Sequence, residues 1–391
     1  MASMSAASIA SLELLAVDLP LRKPFKHAAA ERSSSESVFL KCVTDAGSVG
    51  FGECLPRKYV TGETRDGAFD LLREAMLPRL LGLRFESMAE VEDFLARCDG
   101  RAPRAWLDTA TPQGAAWCAV DLALLDAFGR VFGARPLEGR ASEPAAGFRY
   151  SGVLSADGAR QLALGALKQR LFGLRHIKLK ISRESPERAV RLVRRLCGGS
   201  VELRVDVNMG WTRGEALARI ETLSQHGIRC FEQPLAADDL DGMARLCAET
   251  QVAVMADESF STRESLALLI ARRACTAVNA RISKCGGLVA TLARCREAHE
   301  AGLDVQIGCQ VGESSLLSSA QLLLASAVGR VRYAEGCFGR HLLREDPGSP
   351  VLQFGFGGRP PVRPAGAGLG VAIDERLLGR FTTRREVAPW R

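Results

Sequence analysis

The segment His176-Ile177-Lys178-Leu179-Lys180-Ile181 alternates basic and apolar residues with a period of two. That is the pattern of a strand turning Lys178 and Lys180 to one side and Ile177, Leu179 and Ile181 to the other. Working outward from Lys180, polar residues close short apolar runs at a nearly constant interval. The steps Lys180 to Asp206 and Asp206 to Glu232 are 26 residues each, Glu232 to Asp257 is 25, Asp257 to Lys284 is 27, Lys284 to Gln310 is 26 and Gln310 to Glu335 is 25. Each step has room for one strand and one helix. Repeated βα units make a parallel sheet with right-handed crossovers, and their number favours a closed barrel. An open doubly wound sheet lacks support, since no Gly-x-Gly-x-x-Gly turn follows the first strand. Chemistry then belongs to the polar residues at the C-terminal strand ends.

Those residues form a set. Lysine is rare, 8 against 44 arginines, yet Lys178, Lys180 and Lys284 all stand at these ends. An arginine cannot act as a base, whereas an ammonium can lose its proton. Two amines facing inward together lower each other's proton affinity, which suits one of them to be a base; the competing reading is a solvated pair. Asp206 shares its face with Asn208 in Arg204-Val205-Asp206-Val207-Asn208, Glu232 lies in Phe231-Glu232-Gln233-Pro234 and Asp257 precedes Glu258. A single acid would be read as a salt bridge. Three acids on successive strands repel unless a cation sits among them, and oxygen-only donors suit Mg²⁺, with Mn²⁺ the alternative. Lys284 closes the run Thr276–Lys284 and is placed across the axis from Lys178 and Lys180. Lysines on both sides of a metal suit removal of a proton α to a carboxylate and stabilisation of the enediolate that forms.

The remainder of the 391 residues reads as an ordinary globule, 47% hydrophobic and 25% charged. Strand-like runs Leu12–Val17, Ser37–Thr44 and Gly50–Cys54 point to a small antiparallel sheet, with an irregular polar loop between its first two strands. Helical patterns follow at Asp66–Leu77, stopped by Pro78, at Ser87–Cys98 and at Gly114–Phe132. Ser185 before Pro186, Thr212 with Glu215 and Ser261 with Glu264 mark helix starts, and Gly198 and Gly227 mark helix stops. The twelve cysteines never form Cys-x-x-Cys, so reduced, buried thiols are expected. The net charge of +7 is dispersed among 45 acids without a basic stripe, which argues against nucleic acid as a partner. No apolar span reaches the ~20 residues that a membrane crossing needs, and the N-terminus lacks the pattern of a secretory leader. A cytoplasmic protein is expected.

In order and spacing, the Lys-x-Lys strand, the Asp-x-Asn strand, the Glu strand, the Asp-Glu pair and the Lys-x-Gly-Gly end resemble the enolase superfamily, in its muconate lactonizing enzyme subgroup. Gly50-Phe51-Gly52-Glu53, the helix Ala119-Val120-Asp121-Leu122-Ala123-Leu124-Leu125-Asp126 and Gly368-Leu369-Gly370-Val371 extend the resemblance over nearly the whole chain. The resemblance implies an α/β fold: a (β/α)7β modified TIM barrel (residues 141–365) under an α+β N-terminal capping domain (1–140), with a C-terminal segment (366–391) returning to the cap. It implies Mg²⁺ on Asp206, Glu232 and Asp257, acid/base roles for Lys180 and Lys284, and Lys178 neutralising a substrate carboxylate. Asn208 and Glu258 would support the metal. The specificity loops would be Lys23–Arg32 and Pro56–Thr64, with Tyr59 touching substrate, and a homo-oligomer is expected.

The substrate would be a small carboxylate, and the reaction a cycloisomerisation or a racemisation or epimerisation. The last strand departs from the dipeptide epimerases, which carry Asp-x-Asp where this chain reads Gly336-Cys337-Phe338. It departs from the muconate cycloisomerases too, whose glutamate aligns with Gly336. Glu335 is left as substitute or support, and Gln310 and Glu313 as substrate contacts or caps. Two alternatives stand beside this reading. One is β-elimination, as in a dehydratase or an o-succinylbenzoate synthase. The other is a non-catalytic barrel whose acids and lysines form a buried network.

Overall fold

The computed structural model describes residues 6–27, 30–139, 147–155, 158–181 and 186–388. The first sheet is antiparallel: β1 (Ala7–His27), β2 (Ala30–Thr44) and β3 (Val49–Cys54), with the short β4 (Arg84–Phe85) pairing the start of β1. The expected irregular loop is largely ladder. Phe25 pairs with Arg32 and His27 with Ala30, after a register shift between Pro20 and Phe25. Pro20 and Pro24 cannot donate to a ladder, which accounts for the break and not for an end to the strand. Residues 28 and 29 of the proposed specificity loop lie outside the described residues.

The helix starting at Arg65 does not stop at Pro78. It passes through a π turn at Leu72–Met76 and runs on to Leu80, with Pro78 directly after the widened turn. Helices Met88–Cys98 and Gly114–Phe132 form as their patterns require. The latter is buried almost end to end because β3 lies directly on it. A Cβ on Gly50 would overlap Ala127 and one on Gly52 would overlap the carbonyl of Ala119.

The second unit is the barrel. Its strands are β5 (Gly152–Ser155), β6 (His176–Lys180), β7 (Glu202–Asp206), β8 (Cys230–Glu232), β9 (Ala253–Ala256), β10 (Ala277–Arg281), β11 (Asp304–Gly308) and β12 (Tyr333–Ala334), all parallel and paired in that order. A bridge between Tyr150 and Ala334, with Ser151 N donating to Ala334 O at 2.8 Å, closes the ring. Helices alternate with the strands on the outside. Thr212 and Glu215 form the expected capping box. At the Arg263 helix the box is made one residue later, by Thr262 with Ser265, while Glu264 reaches out to Arg101. Ser185 lies outside the described residues.

Buried carboxylates fasten the two units. Asp121 accepts from Leu288 N at 2.7 Å, and Asp126 accepts from Phe51 N at 3.0 Å and Leu369 N at 2.8 Å. Glu53 receives the hydroxyl of Ser314 at 2.6 Å, and Leu55 N donates to Ser283 Oγ at 2.9 Å. Finally β13 (Thr382–Ala388) pairs antiparallel with β1, returning the chain to its first sheet. The twelve cysteines are free thiols, ten of them buried. Among the described residues no helix is long and apolar enough to cross a membrane.

Candidate active site

Strand register assembles the site. Lys180, Asp206 and Glu232 are consecutive partners across β6, β7 and β8, so they stand at one height around the barrel mouth. Asp257 follows β9 directly and Glu335 follows β12 directly. The predicted acids and lysines are thereby brought together, and all but Lys180 and Glu258 are nearly or wholly removed from solvent.

Lys178 is the hub. Its Nζ lies 2.7 Å from Glu335, 3.2 Å from Asp206 and 3.3 Å from Glu232. Burial disfavours its charge, but Glu232, Glu335 and Asp206 outweigh that and hold it above the ordinary lysine value. The expected mutual depression of two amines is therefore corrected for Lys178: acids, not the neighbouring amine, set its state. In the arrangement seen its ammonium is shared among these protein carboxylates. Lys180 is different. Its side chain keeps 19% exposure, against 3% for Lys178, and its Nζ lies 3.5 Å from Asn208 Oδ1 and 3.7 Å from Asp206. Asn208 in turn donates to Glu258 at 3.2 Å.

Glu232 is buried among Asp206, Glu335 and Asp257. Burial first, and their charges second, push its carboxyl up to about 7 against the pull of Lys178. Asn279 donates to it at 2.8 Å and Gln306 at 3.4 Å. Asp257 shows the opposite balance: burial would raise it, but Arg281 and Lys284 hold it far below the carboxylate range. Glu258 is raised to about 8 by burial and by the charges of Asp257 and Asp206.

Lys284 requires a correction. β10 ends at Arg281, not at residue 284, and Lys284 falls in the turn beyond it. Its side chain is fully buried and its ammonium donates to Asp257 O at 2.7 Å, Asp257 Oδ1 at 2.8 Å and Asn279 O at 2.9 Å. Arg281 takes the place at the strand end. It pairs with Asp257, lies 3.9 Å from Glu232 and donates to Gln310 at 3.1 Å. The rule that put Lys178 and Lys180 on one face would have put Asn279 and Arg281 on one face also; extending the strand to Lys284 hid it.

The remaining acids are supports. Glu335, besides Lys178, pairs with Arg204, which also holds Ser151 at 3.0 Å. Burial would raise its carboxyl, but these cations keep it at about 2. Glu313 accepts from Gln310 N at 2.7 Å, capping that loop. Tyr59, on the short helix Lys58–Thr61, is half-buried beside Arg57, whose guanidinium donates to the carbonyls of Glu36, Pro56 and Val311. The second loop is thus strapped to the barrel mouth.

The acids offer oxygen donors only; Glu258 Oε2 is buried without a hydrogen bond and Asp206 Oδ2 meets only the ammonium groups of Lys178 and Lys180, which fits a hard divalent cation in kind. In the arrangement seen, no three acidic, histidine or cysteine side chains among the described residues converge tightly enough to grip an ion. Lys178, Arg281 and Lys284 hold the carboxylates instead.

A closed parallel barrel that gathers acids and lysines at its C-terminal mouth, roofed by an antiparallel domain built from both ends of the chain, defines an enzyme of the enolase class. Residues 9–137 match the mandelate racemase/muconate lactonizing enzyme N-terminal domain, and residues 160–377 match the enolase C-terminal domain-like model. The chain belongs to the mandelate racemase/muconate lactonizing enzyme family. It is 30% identical to an N-succinyl-L-Arg/Lys racemase of Bacillus cereus over 97% of this chain and 99% of that one. It is also 30% identical to an N-succinylamino acid racemase of Amycolatopsis sp, over 96% and 98%. The crystal structure of N-succinyl Arg/Lys racemase from Bacillus cereus superposes with a TM-score of 0.85 at 26% identity, covering 97% of this chain and 100% of that chain.

Proposed function

We propose that the protein removes the proton α to the carboxylate of a small carboxylate such as an N-succinyl amino acid, with Lys180 as the base. One observation carries this reading: Lys180 is the amine of the set that reaches the open part of the mouth, beside a cluster of buried acids. The base needs an amine within reach of substrate, and Asn208 and Asp206 orient that amine at the rim. Asp206, Glu232 and Asp257 would hold Mg²⁺, with Asn208 and Glu258 alongside; bound there, the ion would stabilise the negative charge that develops on the substrate carboxylate.

The names of the two relatives point to the same substrate class. A cytoplasmic location and a homo-oligomer belong to this reading on family resemblance.

The test is solvent exchange. With Mg²⁺ in deuterated water, N-succinyl amino acids should lose their α-proton signal. Lys180→Met should slow this by ~10²–10⁴-fold. Exchange that survives in Lys180→Met, or in Mg²⁺-free enzyme carrying Asp206→Asn and Glu232→Gln, would sink the assignment.

A further inference from the structure

Among the described residues, the side of the mouth facing Lys180 carries no amine that can reach it. Eight strands in ring order put β6 and β10 four places apart, directly opposite each other. On β10, Asn279 and Arg281 share the face toward the axis, since both meet groups of the mouth: Asn279 donates to Glu232, and Arg281 pairs with Asp257 and donates to Gln310. Lys284 lies behind this layer. An ammonium has three protons to donate, and all three of Lys284's go to Asp257 O, Asp257 Oδ1 and Asn279 O. Glu258 is tied through Asn208 to the Lys180 side. What β10 offers a substrate is therefore a guanidinium, which keeps its protons throughout the range in which proteins stay folded.

We infer that Arg281 makes this a single-faced site, in which protons leave and return on the Lys180 side alone. The inference rests on the α-proton reading above. Neutral Lys180 takes the α-proton, and the C–H electron pair moves onto the carboxylate. From there two outcomes balance. The ammonium of Lys180 returns the proton to the same face and restores the original antipode. Alternatively a group on the β-carbon departs with its bonding pair, and Lys180 delivers the proton to it, giving an alkene and a protonated leaving group. Inversion needs a proton delivered from the opposite face, and Arg281 cannot exchange one. The fixed positive charge of Arg281 is left to hold an anionic group, so the substrates favoured are carboxylates that exchange with retention or carry a leaving group at the β-carbon.

Two measurements test this. In deuterated water with Mg²⁺, the separate antipodes of N-succinylphenylalanine and N-succinylarginine are followed by proton NMR and chiral chromatography. The wild type should exchange one antipode at least ~100-fold faster than the other without forming its mirror image, and Arg281→Lys should gain inversion by at least ~10-fold. Inversion by the wild type at a rate comparable to exchange would overturn the inference while leaving the α-proton reading intact. Absence of exchange in both antipodes of both compounds would remove that reading, and the inference with it. The second measurement needs no substrate: reductive methylation of the native protein, read by peptide mass spectrometry, should label Lys180 and spare Lys284. Labelling of Lys284 as fast as Lys180 would show an accessible amine on the far side and overturn the proposal.

Discussion

Lys178 and Lys180 differ in their company, not in their chemistry. One residue of strand separates them, yet Lys178 is locked among three carboxylates while Lys180 stands at the rim. Removing the buried amine leaves Glu232, Glu335 and Asp206 facing one another without their shared cation. Lys178→Met should therefore lower stability by ~3–5 kcal/mol in urea unfolding, the cost expected when one member of a buried ion network is lost. The period-two pattern of 176–181 made this pair legible in the sequence, and the interval of about 26 residues located Asp206, Glu232, Asp257 and Glu335. The pairing of Lys178 with Glu335 was not legible, because contact across a closed barrel depends on ring closure and carries no signature along the chain. Arg281 escaped for a different reason: in a chain with 44 arginines a further one raises no signal.

Among the elements, β3 and the helix Gly114–Phe132 depend most on a single feature, the two glycines of Gly50-Phe51-Gly52-Glu53. Their missing side chains let the strand touch the helix backbone. Gly52→Ala would drive a methyl into the carbonyl of Ala119 and should cost at least ~1–3 kcal/mol, seen as a lower urea midpoint. The same helix aims Asp121 at the turn after Gly287 and Asp126 at Leu369. In the sequence these two acids looked like part of a motif; in the fold they are acceptors for backbone N–H groups of distant segments. Helix starts were legible where a hydroxyl and an acid stood at the right spacing, as at Thr212. At Thr262 a second hydroxyl did the work of the acid, a substitution that pattern reading passes over.

For the molecule as a whole, the seam between cap and barrel is lined with buried acids whose hold on a proton burial strengthens. Burial pushes Glu53 up to about 8 despite the hydrogen bonds from Ser314. Its folded value lies above the ordinary one near 4.5, so its share of stability is fully present at acid pH and is lost as pH rises from about 4.5 through 8. Glu63 and Asp121, raised to about 7, and Glu313, raised to about 8, act in the same direction, each chiefly through burial. The thermal midpoint of the wild type should thus fall between pH 5 and 8 by several degrees. Glu53→Gln, which cannot ionise, should fall less over that window; parallel curves for the two proteins would refute the assignment.

The pairing of β13 with β1 also bears on how the protein is made. Thr383 lies beside Ala16 across 367 residues of chain, so the opening strand waits through synthesis of the entire barrel before its outer neighbour leaves the ribosome. During that wait the edge at 12–17 is bare, and a bare edge invites pairing with another nascent chain. Protection of that edge therefore comes only after the whole barrel has been made.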